Sequence, residues 1–242
     1  MVVIEYLGVI VNGICIIFGS VIGLFFTKIN EKVKETIMSG IGLTVILIGI
    51  TMALESDRIV VILLSLLTGA IIGEAIDLDK KLNQLGVKIE NKFKKEGSNS
   101  TIAEAFVTAS LIFVIGAMAV IGALDSGLRG DHEILFTKSL IDGFVALVLT
   151  TTLGFGVILS FIPVVIYQGS IVLFATQINN LLSEQFLYLF IEDMTATGGL
   201  LIVAIGLNLL KITSIRVANL LPSILTVGFI LYAYIQLENI LF

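Results

Sequence analysis

The chain contains 242 residues, of which 57% are hydrophobic and 14% are charged, and its formal net charge is −5. This composition excludes an ordinary soluble globular domain and is typical of packed membrane helices. The negative balance comes from scattered loop carboxylates, and no basic face with interleaved aromatic residues indicates a nucleic-acid partner. We therefore expect an all-α, polytopic transmembrane helix bundle that forms one integral membrane domain over residues 1–242.

Long runs without charged residues predict the membrane spans. The run between Asp142 and Glu184 contains 41 residues, whereas a helix needs about 20 apolar residues to cross the hydrocarbon core. A tight hairpin is predicted near Ser160, Phe161 and Pro163, in the middle of this run, so that it provides two spans. With the remaining runs this predicts eight spans; those runs cover residues 6–27, 36–54, 59–73, 105–124, 194–210 and 217–237.

The distribution of basic residues favours the same count. Lys and Arg concentrate in cytoplasmic loops, and eight spans leave eleven of the fourteen basic residues on one side of the membrane. The other side then holds only Arg58, Arg129 and Lys138. This arrangement predicts that the N- and C-termini are both outside.

One segment has the pattern of a soluble helix. Leu78, Leu82, Leu85, Ile89 and Phe93 follow at spacings of four, three, four and four, with lysines between them, which is the pattern of an amphipathic helix. We expect residues 77–100 to form a helix on the cytoplasmic leaflet, where anionic lipids attract its lysines, followed by a linker. A regulatory or partner-binding helix is the alternative.

The sequence contains a candidate internal repeat. The glycines near Gly42 and Gly49 match those near Gly199 and Gly206 at an offset of about 157, and Ser65–Thr68 matches Ser223–Thr226 at an offset of 158. Spans one to three then correspond to spans six to eight with opposite orientation, which is an inverted repeat of the kind found in transporters. Chance resemblance between apolar helices is the alternative.

Glycines within the spans have two interpretations. Pairs at four-residue spacing, such as Gly19 with Gly23 and Gly69 with Gly73, predict close helix packing. The strings at residues 39–42 and 195–199 are instead candidates for unwound helix starts, whose backbone N–H groups could bind an anion or a solute. Thr195 is included among the candidate pathway residues for this reason.

Polar side chains inside spans are candidates for a solute pathway because they are costly in hydrocarbon. Asp142 is the leading candidate as a proton- or cation-responsive group, with Lys138 one helical turn before it; a self-neutralising structural ion pair is the alternative. The amides of Asn12, Gln168 and Asn208 are candidates for solute contact, or alternatively for interhelical hydrogen bonds.

Catalytic and metal-binding chemistry finds no support in the residues. Cys15 and His132 are the only cysteine and the only histidine, so one chain cannot form a His- or Cys-based metal cluster or a nucleophilic triad. Phosphate-binding and dinucleotide-binding motifs are also missing. We therefore expect neither an enzyme nor a cofactor, and we expect His132 to be a solvated loop residue.

Several strings together resemble the YqgA/YdfK-type bacterial membrane proteins, a domain-of-unknown-function family. They cover nearly the whole chain: Gly8-Val-Ile-Val-Asn12, Phe18-Gly-Ser20, Gly130-Asp-His132, Lys138-Ser-Leu-Ile-Asp142-Gly143, Tyr167-Gln-Gly169, Thr195-Ala-Thr-Gly-Gly199, Gly206-Leu-Asn208 and Arg216-Val-Ala-Asn-Leu-Leu-Pro222. The resemblance implies a multi-pass protein of the bacterial cytoplasmic membrane. Its recurring polar positions fall on Asn12, Asp142, Gln168 and Asn208.

The sequence favours a secondary transporter of a small polar or ionic solute, with proton or cation coupling. We expect small solutes or ions, and other copies of the chain in a homo-oligomer, as its partners. The alternatives are an oligomeric channel and a non-transporting membrane scaffold or regulator that acts through the amphipathic segment.

Overall fold

The protein is described by a computed structural model that covers residues 5–26, 31–81, 84 and 102–241. These residues are helical apart from short connections, and no strand occurs among them, which confirms the predicted all-α class. The α-helices are α1 (Leu7–Phe25), α2 (Glu31–Ala53), α3 (Ile59–Ile76), α4 (Ile102–Val114), α5 (Ala117–Arg129), α6 (Glu133–Leu153), α7 (Phe161–Leu181), α8 (Glu184–Leu209) and α9 (Ser223–Leu241).

The helices have the length and composition of membrane spans. Six helical segments in the described ranges are long and apolar enough to cross a bilayer, or seven if the bent pair α4–α5 forms one span. One of the six is the 49-residue segment Glu133–Leu181, which includes α6 and α7. Large apolar side chains such as Phe25 and Phe229 are about 80% exposed on these helices, as lipid-facing residues are. The protein is thus a multi-pass membrane protein, and the count of eight spans stays a prediction.

Contacts divide the chain into two units that interleave in the sequence. The first comprises Met1–Met38 and Asn83–Leu182, and the second comprises Ser39–Leu82 and Ser183–Phe242. The predicted single domain is not tested by this division. Most of the predicted amphipathic helix at 77–100 lies outside the described residues, so that expectation also stays a prediction.

In the first unit, α1 packs between α6 and α7. A Cβ atom built on Gly8 would lie 2.8 Å from Leu135, and one built on Gly23 would lie 2.7 Å from Thr150, so α1 and α6 run in the same direction. Along α7 the order is reversed, because Gly13 lies against Val165 whereas Tyr6 lies against Gly169. The chain therefore turns back between α6 and α7, as the hairpin prediction requires.

The turn itself begins earlier than predicted. It is a 3-10 helix over Gly154–Ser160, and Gly154 has φ 77°, a conformation that side chains with a Cβ rarely adopt. Pro163 follows in the first turn of α7, where its missing N–H interrupts no intrahelical bond. Glycine at the end of α6, rather than the proline, determines where the helix stops.

A second glycine breaks the predicted span at residues 105–124. Gly116 has φ 137° and separates α4 from α5, whose axes differ by 61°. Only glycine adopts this backbone conformation without strain. The expected continuous helix is therefore two short helices.

Close helix packing at the glycine pairs is confirmed in both units. A Cβ atom at Gly19 would collide with the carbonyl oxygen of Gly143, and one at Gly23 would lie 2.5 Å from the carbonyl oxygen of Leu147. Gly73 likewise faces the Asn219 backbone. Helix backbones thus approach each other directly, as small residues allow in lipid.

In the second unit, α2 packs antiparallel to α8 and α3 packs antiparallel to α9. Gly42 approaches Gly206 while Gly49 approaches Gly199. Similarly, Gly69 contacts Ser223, and Thr68 Oγ1 lies 3.2 Å from Thr226 Oγ1.

The predicted unwound helix starts are wrong. Residues 39–42 lie inside α2, which begins at Glu31, and residues 195–199 lie inside α8, which begins at Glu184. At both places the backbone N–H groups belong to a continuous helix and cannot be offered to an anion. Gly42 and Gly199 serve instead for close contact between α2 and α8.

Candidate functional site

A buried ion pair on α6 forms the centre of the first unit. Lys138 Nζ lies 2.9 Å from Asp142 Oδ1 and 2.9 Å from Oδ2, at the predicted spacing of one helical turn. Only 7% of Lys138 and 4% of Asp142 are exposed. Because the surroundings are apolar helices, each charge depends on the other for neutralisation.

Two amides from neighbouring helices adjoin this pair. Asn12 on α1 donates to Gln168 on α7, with 3.2 Å between Nδ2 and Oε1, and both residues are fully buried. The Asn12 side chain also interacts with the Asp142 carboxylate. Three helices thus bring Asn12, Lys138, Asp142 and Gln168 together; these four were identified from sequence, and we call them the polar cluster.

The polar cluster contains hydrogen-bonding atoms without partners. Asn12 Oδ1 and Gln168 Nε2 are buried and make no hydrogen bond. Such atoms cost roughly 1–3 kcal/mol each when left unsatisfied. A cluster that retains unused donors and acceptors in an apolar core has the chemistry of a binding site rather than of a completed structural network.

Two hydroxyl groups farther along α1 and α6 share this property. Ser20 Oγ and Thr150 Oγ1 are buried without hydrogen-bond partners. Thr150 differs in this from the next two threonines of α6, because Thr151 and Thr152 donate to carbonyls of the preceding turn over 2.7 and 3.0 Å. Unsatisfied polar groups thus continue from the polar cluster toward the α6–α7 turn.

The prediction that His132 is a solvated loop residue is wrong. His132 is only 8% exposed, its Nδ1 pairs with the Ser126 hydroxyl, and its ring lies 5.8 Å from that of Phe136. The short connection between α5 and α6 holds the ring against α5, so a position in a loop does not place it in solvent.

A second charged cluster, in the second unit, was missed. Arg58 Nε lies 3.0 Å from Asp193 Oδ1, and its Nη2 lies 2.7 Å from Glu192 Oε2. The Ser56 hydroxyl also donates to Asp193, which is fully buried. The small residues that follow Asp193 indicate a closely packed helix face, and that signal could have placed the carboxylate inside.

The electrostatics of this second cluster follow from its excess of carboxylates. Burial lowers the pKa of Arg58, but hydrogen bonds and ion pairs with Asp193 and Glu192 outweigh burial and raise it. In the same loop, burial and the nearby Glu192 charge raise the pKa of Glu55. Arg58 therefore stays charged, and the connection between α2 and α3 is attached firmly to α8.

The remaining predicted pathway residues lie in the second unit. Thr195 is buried, and its hydroxyl has no hydrogen-bond partner; Thr197 is similar. The Asn208 amide instead closes the loop after α8, because its Nδ2 donates to the Ile215 carbonyl over 2.7 Å and its Oδ1 accepts from Ile215 N and Thr213 Oγ1. Solute contact by Thr195 or Asn208 stays a prediction.

Metal ligands are not grouped in the part of the chain that the structure describes, where no three His, Cys, Asp or Glu side chains are placed to hold an ion. The unsatisfied atoms of the polar cluster belong to the amides of Asn12 and Gln168, which suit hydrogen bonding to a solute.

Comparison with known proteins identifies the family. Residues 7–232 match the family described as "Protein of unknown function (DUF554)". The chain is 33% identical to the "Uncharacterized membrane protein YdfK" of Bacillus subtilis (strain 168), over 94% of this chain and 97% of that protein. It is 30% identical to the "Uncharacterized protein YqgA" of Escherichia coli (strain K12), over 90% and 93% respectively. No solved structure matches the chain.

Proposed function

We propose that the chain, which belongs to the DUF554 family and is a multi-pass membrane protein, is a secondary transporter of a small polar or ionic solute. The observation that carries this proposal is the polar cluster: four polar side chains from three helices meet inside the first unit and leave hydrogen-bonding atoms unused. Asp142, neutralised by Lys138, is the proposed proton- or cation-responsive group, and Asn12 and Gln168 are the proposed solute contacts.

The energetic argument favours a functional role for this cluster. An ionisable group deep in a membrane protein is costly and is retained where it serves a pathway or a binding site. A purely structural network leaves no polar atom without a partner, whereas here one oxygen of Asn12 and one nitrogen of Gln168 have none. A solute that supplies those partners would bind at the cost of its own dehydration.

An inverted repeat is the second part of the proposal, and the glycine contacts support it. At an offset of 157, Gly42 corresponds to Gly199 and Gly49 corresponds to Gly206. A Cβ at Gly42 would lie 3.3 Å from the Gly206 oxygen, and one at Gly49 would lie 2.7 Å from the Gly199 oxygen. The equivalent of Gly42 is Gly199 and the equivalent of Gly206 is Gly49, so the two contacts join equivalent pairs of residues. A local two-fold axis relates contacts in this way.

The backbone at two equivalent arginines adds independent support. Arg58 precedes α3 with φ −83° and ψ 62°, and Arg216, 158 positions later, has φ −78° and ψ 74°. At both places the N–H of the following residue bonds to the carbonyl of the preceding residue over 2.9 Å, which forms an inverse γ-turn. Compositional similarity between apolar helices does not reproduce such a turn, so duplication explains it better.

Equivalent residues also meet at the crossing of α3 and α9. Thr68 and Thr226 are 158 positions apart and their hydroxyl oxygens are 3.2 Å apart, as expected where a two-fold axis passes between equivalent positions. Repeats of opposite orientation allow a transporter to exchange outward-open and inward-open forms. This architecture favours alternating access over a static pore.

We place the protein in the bacterial cytoplasmic membrane with both termini outside, as a homo-oligomer surrounded by lipid, and assign it no enzymatic activity or cofactor. The basic residues on the predicted inner side support the orientation. A channel would instead give ohmic, uncoupled currents in planar bilayers, and a scaffold would give neither flux nor current.

Transport in proteoliposomes tests the proposal. Wild-type protein is expected to exchange at least one labelled solute from a panel of zwitterions, organic anions, amines and alkali cations, with saturable kinetics. Asp142→Asn is expected to reduce that exchange strongly. Asp125→Asn is the matched control, because Asp125 also pairs with a basic residue at a spacing of four but is partly exposed. Equal flux in both variants would remove Asp142 from the mechanism.

A further inference from the structure

We propose that the polar cluster binds a small zwitterion that carries one ammonium and one carboxylate group. This inference rests on the proposed transport function and specifies the class of solute. It depends on the charge of the polar cluster, on the arrangement of its unused donors and acceptors, and on the short distances between its members.

The charge of the polar cluster selects a solute without net charge. Lys138 and Asp142 contribute one charge of each sign, both more than nine-tenths buried, and Asn12 and Gln168 are neutral. Bringing an isolated anion or cation into this environment would add an uncompensated buried charge, which is strongly unfavourable. A zwitterion keeps the net charge of the polar cluster and its bound solute at zero.

The unused hydrogen-bonding atoms favour a zwitterion over an uncharged solute. Asn12 Oδ1 is a free acceptor, and each oxygen of the Asp142 carboxylate can accept a further bond besides its contact with Lys138; both groups suit an ammonium group. Gln168 Nε2 is a free donor, and Lys138 has further N–H groups beyond the bond to Asp142, which suit a carboxylate. Hydrogen bonds to charged groups contribute more than those between neutral groups.

The presence of one free amide donor and one free amide acceptor does not depend on how the two amide groups are oriented. Asn12 and Gln168 bond to each other, so turning one amide over requires turning the other. Either arrangement leaves one free amide donor and one free amide acceptor. The ion pair then determines the orientation of the bound solute, whose ammonium group lies toward Asp142 and whose carboxylate lies toward Lys138.

Contact between the two protein charges favours a short solute. Lys138 Nζ lies 2.9 Å from the Asp142 carboxylate, so the complementary charges of a solute must approach nearly the same point, and the unused amide atoms of the polar cluster are shielded from solvent. Opposite charges that are one or a few bonds apart, as in an α-amino acid, fit such spacing. A longer ω-amino acid would place one of its charges in apolar surroundings.

Thermal unfolding of the purified full chain in nanodiscs tests the inference. The probes are glycine, β-alanine and γ-aminobutyrate as zwitterions of increasing length, acetate and methylammonium as the separate charged halves, and acetamide as an uncharged control. A ligand that binds the folded state raises the unfolding temperature, and the rise increases with the logarithm of the ratio of its free concentration to its Kd. Glycine is expected to bind about tenfold or more tightly than acetate, methylammonium or acetamide, because acetate and methylammonium each lose one charged hydrogen-bonded contact and acetamide loses both.

Variants separate binding from folding. Lys138→Met and Asp142→Asn are expected to abolish the glycine effect, whereas Arg129→Met, in the exposed ion pair with Asp125, is expected to retain it. If either single variant fails to fold, the double variant Lys138→Met/Asp142→Leu replaces the buried pair by apolar groups that are tolerated in other proteins. It is expected to fold and to show no glycine effect.

The inference is overturned if no zwitterion raises the unfolding temperature, if acetate or methylammonium alone does so as strongly, or if the double variant still responds to glycine. These results would leave the transport proposal intact wherever another solute is exchanged by proteoliposomes. Binding of glycine without exchange would instead uphold the inference and contradict the transport proposal.

Discussion

Removing one charge of the buried pair on α6 should be far more damaging than removing both. In Lys138→Met the Asp142 carboxylate, 4% exposed, loses the ionic partner that it has in the described part of the chain. Deleting one member of a buried ion pair typically costs about 3–5 kcal/mol of stability. Asp142→Asn is expected to have a similar effect, because it leaves the Lys138 ammonium buried and unpaired.

The double variant Lys138→Met/Asp142→Leu should recover most of this loss. Replacing both charges by apolar groups removes the desolvation penalty along with the attraction, and the change is often neutral or stabilising by about 1–4 kcal/mol. We therefore expect the double variant to be at least about 3 kcal/mol more stable than either single variant. Such a difference would show that the two substitutions are not additive, which is expected of residues in direct contact.

Reversible unfolding in mixed micelles, followed by circular dichroism, measures these differences. Arg129→Met provides the control, because the side chains of Arg129 and Asp125 are 75% and 23% exposed and such pairs contribute only about 0–1 kcal/mol. If Lys138→Met destabilises the protein no more than Arg129→Met does, the pair is hydrated in the membrane. The argument that its desolvation selects a neutral solute would then fail.

Two further predictions concern packing and the second unit. Gly19→Ala should destabilise the protein by about 1–3 kcal/mol, because its Cβ would collide with the Gly143 carbonyl. Gly40→Ala should not destabilise it, since nothing lies within 4 Å of a Cβ at that position. Equal stability of the two variants in the same unfolding assay would contradict the close packing at Gly19. Arg58→Met should cost about 3–5 kcal/mol, because it leaves the buried Asp193 carboxylate unpaired. Arg216→Met, at the equivalent position of the proposed repeat, should have a much smaller effect, because its ion pair with Glu74 is 59% and 47% exposed; a comparable loss in both would contradict the burial argument.

Local features were predictable because they depend on neighbours in the sequence. The spacing of Lys138 and Asp142 determines their pairing on any helix, and charge-free runs of sufficient length determine where helices cross apolar surroundings. The bond between Asn12 and Gln168 joins positions 156 residues apart. Only their polarity inside spans could identify them in advance, and the contact itself could not be derived.

The errors have specific physical causes. Arg58 and Asp193 are 135 residues apart, and each lies at the edge of an apolar run, so the local sequence around neither residue indicates that they meet. Gly116 and Gly154 break helices through backbone conformations that the sequence permits but does not require. His132 shows that a short connection can be buried when its side chain finds a partner on the preceding helix.

The placement of both charges on one helix has a consequence for transport. Lys138 and Asp142 both belong to α6, so any rigid displacement of that helix carries both and moves no net protein charge. Moving one unpaired charge through 100 mV changes the free energy by about 2.3 kcal/mol, or a rate by up to roughly fifty-fold. Exchange of a zwitterion by wild-type protein should therefore be insensitive to a potassium diffusion potential, whereas residual exchange by Asp142→Asn should respond to it. A steep potential dependence of the wild-type flux would mean that the pair separates or that a charged solute or ion crosses with it, and the neutral-site reasoning would have to be abandoned.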